Sequence, residues 1–104
     1  MIQFMGGFWV QYKLTYMALC FKTDGGIDPW FGGFADLQKA VGGYVEVFNY
    51  HTDDTTLVFA VNEDGLYNSL PPNNQINTLG FKIFGNVVVF TQKEWDLVGN
   101  GGVL

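Results

Sequence analysis

Few side chains in this sequence could do covalent chemistry, and their spacing suits it poorly. Cys20 is the one cysteine and His51 the one histidine, so a thiol–imidazole dyad can be written only between these two. Cys20 lies inside an apolar run, where a buried structural thiol is expected. A Ser-His-Asp set would have to use Ser69, but no strained nucleophile turn surrounds it. Glu46 and Glu63 could meet across neighbouring elements as a general acid/base pair. With ten acidic residues in the chain, one such meeting is close to what chance offers. His51 beside Asp53 and Asp54 invites a metal ion. Thr and Asp at a hairpin tip are ordinary turn chemistry, however, and the spacing supplies no cage. Gly32-Gly33 and Gly42-Gly43 belong to no phosphate-binding pattern. No catalytic residue, metal site or cofactor is expected, and the chain reads as a non-enzyme.

The elements that would position these residues are organised around Leu37–Val47. Phe34, Leu37 and Val41 fall on one helical face, with Asp36 early and Lys39 late, as the helix dipole favours. Gly42 can take the left-handed conformation that closes a helix. The principal helix is therefore expected from Phe34 to Val41. Tyr44–Tyr50 and Thr55–Asn62 carry β-branched and aromatic residues at strand density and should form an antiparallel hairpin, with His51–Asp54 at its tip. Asn62-Glu63-Asp64-Gly65 is a second tight turn, with Gly65 suited to positive φ. Leu66–Leu70 can return as a short strand. Leu70–Asn73 must be extended before its prolines, and Asn73 or Asn74 can cap a short helix ended by Gly80. Val87–Phe90 is a continuous apolar run, as in a strand buried on both faces. Thr91-Gln92-Lys93-Glu94 is a capping box that opens a last helical turn or two.

Before the helix, Phe8–Lys22 alternates as a long strand would. Thr23–Gly26 is a turn, Asp28-Pro29 could begin a helical turn, and Trp30-Phe31 sits on a glycine-flanked loop. The expected fold is α+β: a small, mainly antiparallel sheet that could curl towards a barrel, one principal helix, and short helical turns. Phe34, Leu37, Val41, Val45, Val47, Val58, Ala60, Val88 and Phe90 should supply much of the core. The 104 residues make a single domain, with an aromatic strand and loop over 8–33 and a frayed, glycine-rich tail over 99–104.

Composition narrows the function. The net charge is −5, with five lysines and no arginine, which opposes nucleic acid and an anionic membrane surface alike. Hydrophobic residues make up 48% and charged residues only 14% of the chain, so a core is affordable and disorder is not expected. A single cysteine allows no internal disulfide and fits a reducing, cytoplasmic setting. Met1–Phe4 has no basic run of the kind that opens a signal peptide. The apolar run Phe8–Phe21 is interrupted by Gln11 and Lys13 and is too short to span a bilayer.

From Asp36 to Phe90 the chain resembles a small uncharacterised domain family of phages, mobile elements and bacteria. The likeness rests on Leu37-Gln38, Val41-Gly42-Gly43-Tyr44 and Val45-Glu46-Val47. It continues through Asn62-Glu63-Asp64-Gly65, Leu70-Pro71-Pro72-Asn73 and Gly85-Asn86-Val87-Val88-Val89. It covers about half the chain, with a family-like core over 34–91. The resemblance implies a shared α+β domain and a phage or mobile-element origin, and implies no activity.

These readings converge on a protein that works by binding another protein, host or viral, in the manner of a phage accessory or counter-defence protein. Trp9, Trp30 and Phe31 are the candidate aromatic anchors. The acidic tips at Asp53-Asp54 and Glu63-Asp64, and the exposed strand glutamate Glu46, are further candidate contacts. Homo-oligomerisation through the same surface is compatible with this. A small-molecule or nucleotide-signal binder is the alternative, with Trp30, Tyr44 and Asn73 lining its pocket. A structural subunit or a DNA mimic stands third, though ten acids are thin for mimicry.

Overall fold

A computed structural model describes residues 18–104. The long strand expected over Phe8–Lys22, and Trp9 within it, lie mostly outside the described residues. Of that strand, Ala18–Phe21 forms β1. There follow β2 (Ile27–Trp30), α1 (Phe34–Val41), β3 (Val45–His51), β4 (Thr56–Asn62), α2 (Asn74–Asn77), β5 (Val87–Thr91) and α3 (Gln92–Gly99). The five strands form one antiparallel sheet in the order β2-β1-β5-β4-β3. The fold is mixed α+β. Among the described residues β2 and β3 are the edges of the sheet, which is not closed into a barrel. Packing on its two faces does the work that closure would have done.

Strand alternation divides the core in two. Ala18, Cys20, Val58, Ala60, Val88 and Phe90 face the side covered by α1 and α3, where Leu37, Val41 and Val98 meet them. Val87, Phe59 and Val61 face the other side, against Ile76 and the partly buried Phe48, Tyr50 and Phe81. The run Val87–Phe90 is thus the central strand, and Val87, Val88 and Phe90 are wholly enclosed. Burial of each side chain the size of Phe90 or Leu37 stabilises by roughly 1.5–3 kcal/mol. Phe90 also meets Trp30 edge-on at a centroid distance of 5.5 Å and Trp95 at 5.5 Å, geometries that add to simple area burial.

Helix α1 occupies the expected residues. The Asp36 carboxylate accepts the Gly33 N–H at 3.0 Å. Gly42 stands at φ 86° and its N–H closes the helix on the Gln38 carbonyl at 2.9 Å. The capping box at Thr91 is also formed. Glu94 N–H donates to Thr91 Oγ1 at 3.2 Å, and Thr91 N–H donates to Glu94 Oε1 at 2.8 Å. It opens α3, eight residues long and equal in length to α1. Val98 is wholly buried under it. The last helical turn or two expected from Gln92 therefore forms.

Several expectations fail for identifiable reasons. Phe34 and Val47 are exposed rather than core. Trp30 fills the core at the Phe34 end, and α1 lies chiefly across β4 and β5, leaving Val47 open on the edge strand β3. Asp28-Pro29 begins no helical turn but runs through β2, paired to Leu19 and Cys20. Proline is tolerated there because only one side of an edge strand is hydrogen-bonded. Trp30 accordingly ends a strand instead of sitting on a loop. Gly65 is not at positive φ; glycine is needed there because a Cβ would overlap the Phe84 carbonyl oxygen. Leu66–Leu70 is a turn, not a strand, with Leu70 N–H returning to the Gly65 carbonyl at 3.0 Å and Ser69 at φ 59°. The glycine-rich end folds back on the domain. Gly102 N–H donates to the Leu97 carbonyl at 2.8 Å, Leu104 N–H donates to the Gly32 carbonyl at 3.0 Å, and Leu104 packs on the core.

Candidate functional site

The pairs that could have done covalent chemistry are kept apart or engaged. Cys20 is buried on β1 and His51 is exposed at the end of β3, with β5 and β4 between them. Three strand spacings put them at least about 14 Å apart. Burial pushes the Cys20 thiol above its ordinary pKa, so little of it is the nucleophilic thiolate. His51 Nδ1 shares a hydrogen bond with Thr56 Oγ1 at 3.0 Å across the hairpin. Asp53 and Asp54 are exposed at the tip, where Thr52 Oγ1 accepts N–H groups from Asp54 and Thr55. This is the hydroxyl-centred turn that the sequence suggests.

Glu46 and Glu63, in contrast, are brought together. They line one cavity of about 260 Å³ on the sheet face opposite α1 and α3. Phe48 of β3 and Val61 of β4 form its floor, and Leu66 and Phe84 close its sides. Glu46 is held by the β3–β4 ladder opposite Val61. Glu63 is placed by its own N–H donating to the Tyr44 carbonyl at 2.9 Å. Asn62 Oδ1 adds a turn that accepts the Asp64 N–H at 2.8 Å. Lys82 completes the wall and was not foreseen. It sits on a segment clasped by Asn77, whose amide donates to the Ile83 carbonyl at 3.0 Å and accepts from the Ile83 N–H at 2.8 Å. The asparagines at 73, 74 and 77 are a sequence signal for such side-chain clasps, but only the fold shows which loop they hold.

The remaining candidates scatter. Tyr44 is exposed just before β3 and lines neither that cavity nor the hollow of about 250 Å³ beside Gly42, Leu70 and Asn86. Asp64 is exposed on the turn. Asn73 is wholly buried, and both ends of its amide are used. It donates to the Phe21 carbonyl at 2.8 Å and the Gly85 carbonyl at 3.0 Å, and accepts from Ile76 N–H at 3.2 Å. It is an internal strut, wholly buried and out of reach of a ligand at the surface.

Trp30 and Phe31 part company. Trp30 is 8% exposed and belongs to the core; Phe31 is 60% exposed. Phe31 is not alone. The back-folded C-terminus lies against the Gly32-Gly33 backbone, which places Val103 beside Gly33 and Gly102 against Leu97. Phe31, Phe34, Leu97 and Val103 are all exposed there, at the junction of the β2–α1 loop, the end of α3 and the chain terminus. Leu97 and Val103 escaped sequence reading because nothing in the glycine-rich tail signals that it returns to the loop.

The fold thus defines a small open-sheet α+β domain with a charged cavity on one face and an apolar end. The family model described as "Domain of unknown function (DUF3846)" matches residues 22–98, and the chain belongs to that family. The match begins earlier and ends later than the resemblance traced over 36–90, so it takes in β2, Trp30 and α3. No curated protein and no solved structure matches the chain. Among the described residues no helix is long and apolar enough to cross a membrane, and no cluster of three or more His, Cys, Asp or Glu side chains could hold a metal.

Proposed function

We propose that this is a non-catalytic accessory protein, of the kind phages and mobile elements carry, that acts in the cytoplasm by binding a host or viral protein. The observation that carries the reading is the apolar end: Phe31, Phe34, Leu97 and Val103 exposed together on three segments tied to one another by backbone hydrogen bonds. A grouped, exposed apolar patch on hydrogen-bonded segments is how binding surfaces differ from scattered surface hydrophobics. Phe31 is its aromatic anchor, 60% exposed beside a buried Trp30 that fixes the loop. The separation of Cys20 from His51 supports a non-catalytic reading. The deficit of positive charge supports a protein partner over nucleic acid. A second copy of the chain could occupy the same surface.

The test is photo-crosslinking in cells. A photoreactive phenylalanine at position 31 should yield one dominant heterologous adduct. The same group at Tyr67, exposed on the turn over the opposite face, should not. Equal, diffuse labelling from both positions would refute the assignment, and an adduct of twice the chain mass would identify the partner as a second copy.

A further inference from the structure

We propose that the cavity under the 63–66 turn binds a small amphiphilic zwitterion, an α-amino acid with an apolar side chain or a close analogue. Glu46, Glu63 and Lys82, all exposed, line one open space of about 260 Å³. None of the three takes part in an ion pair among the described residues, where the ion pair formed is Lys22–Asp28. Two carboxylates and one ammonium around an apolar floor are the complement of an ammonium group and a carboxylate on one short frame. The ammonium is held between Glu46 and Glu63 and the ligand's carboxylate by Lys82. Its side chain lies on Phe48 and Val61, under Leu66. Pairing all three charges at once is what a zwitterion does and a simple amine or acid does not. Size agrees: the space is below the roughly 300–1,000 Å³ of drug-sized pockets. The excess of acid over base repels phosphate groups, which sets aside a nucleotide signal in this cavity. The walls are pre-formed, since Asn77 fixes the Lys82 segment and Asn62 fixes the Glu63 turn. This site is independent of the apolar end and lies on another part of the surface.

The experiment is a titration of the ¹⁵N-labelled full chain with L-leucine and L-phenylalanine, followed by amide shifts. Isoamylamine and 4-methylpentanoate serve as probes that each lack one charge. Saturable shifts are expected at Glu46–Phe48, Val61–Leu66 and Lys82–Phe84, with the single-charge probes at least about tenfold weaker. Lys82→Met should weaken the amino acid about tenfold and leave isoamylamine unchanged, while Glu46→Gln with Glu63→Gln should weaken both. The same spectra report whether each variant is folded. Absence of saturable shifts up to about 20 mM ligand would overturn the proposal. So would amino-acid binding indifferent to all three substitutions, or isoamylamine binding as tightly as leucine.

Discussion

The Asn62 side chain donates to the Val41 carbonyl oxygen at 3.1 Å, joining the last residue of β4 to the last residue of α1. Asn62 is buried, and its other amide end accepts the Asp64 N–H at 2.8 Å. One side chain therefore satisfies an orphan helix carbonyl and shapes the turn that presents Glu63. Asn62→Ala should cost about 1–3 kcal/mol, since a buried carbonyl loses its partner. Asn62→Asp should cost more, because a carboxylate cannot donate to that carbonyl. Chemical denaturation of both variants checks the order; equal stability of Asn62→Ala and wild type would show that the bond is dispensable.

Gly42 and Gly43 serve the same junction for different reasons. Gly42 needs its left-handed backbone at φ 86°, while a Cβ on Gly43 would come within 3.0 Å of Asn62 Nδ2. Gly42→Val should destabilise by about 1–3 kcal/mol through backbone strain alone. Gly42→Asn should be milder, since Asn tolerates the left-handed region. Thermal melts of the two should differ in that direction; an unchanged melting temperature in Gly42→Val would remove the glycine stop.

Glu94 gives a pH signature. Burial raises its carboxyl above the ordinary 4.5, against the lowering effect of its hydrogen bonds with the Thr91 backbone and side chain. The folded state then holds a proton that the unfolded chain releases. The contribution to stability is full below 4.5 and is lost as pH rises through the folded value. Glu94→Gln keeps a neutral acceptor for the Thr91 N–H and should gain on wild type as pH rises from about 4 to 7. Melting temperatures of the pair across that range should diverge upward for the variant; parallel curves would contradict the burial effect.

Trp30 and Phe31 should separate in stability as they do in exposure. Trp30→Ala should cost about 3–5 kcal/mol, because it empties the space against Phe90. Phe31→Ala should stay within about 0.5 kcal/mol. Urea unfolding measures both, and a large loss in Phe31→Ala would mean that its ring is part of the core.

Much of this was legible because local signals and tertiary needs agreed. The helix Phe34–Val41 with its glycine stop, the Thr91–Glu94 box and the Val87–Phe90 run each needed one neighbour only, and each formed where expected, though Phe34 itself is exposed. What was illegible depended on distant partners. Trp30 is buried because β2 pairs with β1 and brings it over Phe90. Gly65 is glycine because of Phe84, nineteen positions away by number. The candidate sites followed the same divide. Glu46 and Glu63 met because a hairpin joins their strands and turn. Lys82, Leu97 and Val103 were set in place by Asn77 and by the returning terminus, contacts that no local pattern encodes.

The most direct measurement of binding through the apolar end is quantitative affinity capture with three forms of the chain: wild type, Phe31→Ser with Val103→Ser, and Tyr67→Ser as a matched exposed control. All three should fold alike by circular dichroism. One protein should be retained in near-stoichiometric yield by wild type and by Tyr67→Ser. The double variant should weaken its binding about 30-fold or more, the equivalent of roughly 2 kcal/mol for a hot-spot anchor. The same protein retained equally by all three forms would contradict the assignment of the binding surface to Phe31 and its neighbours.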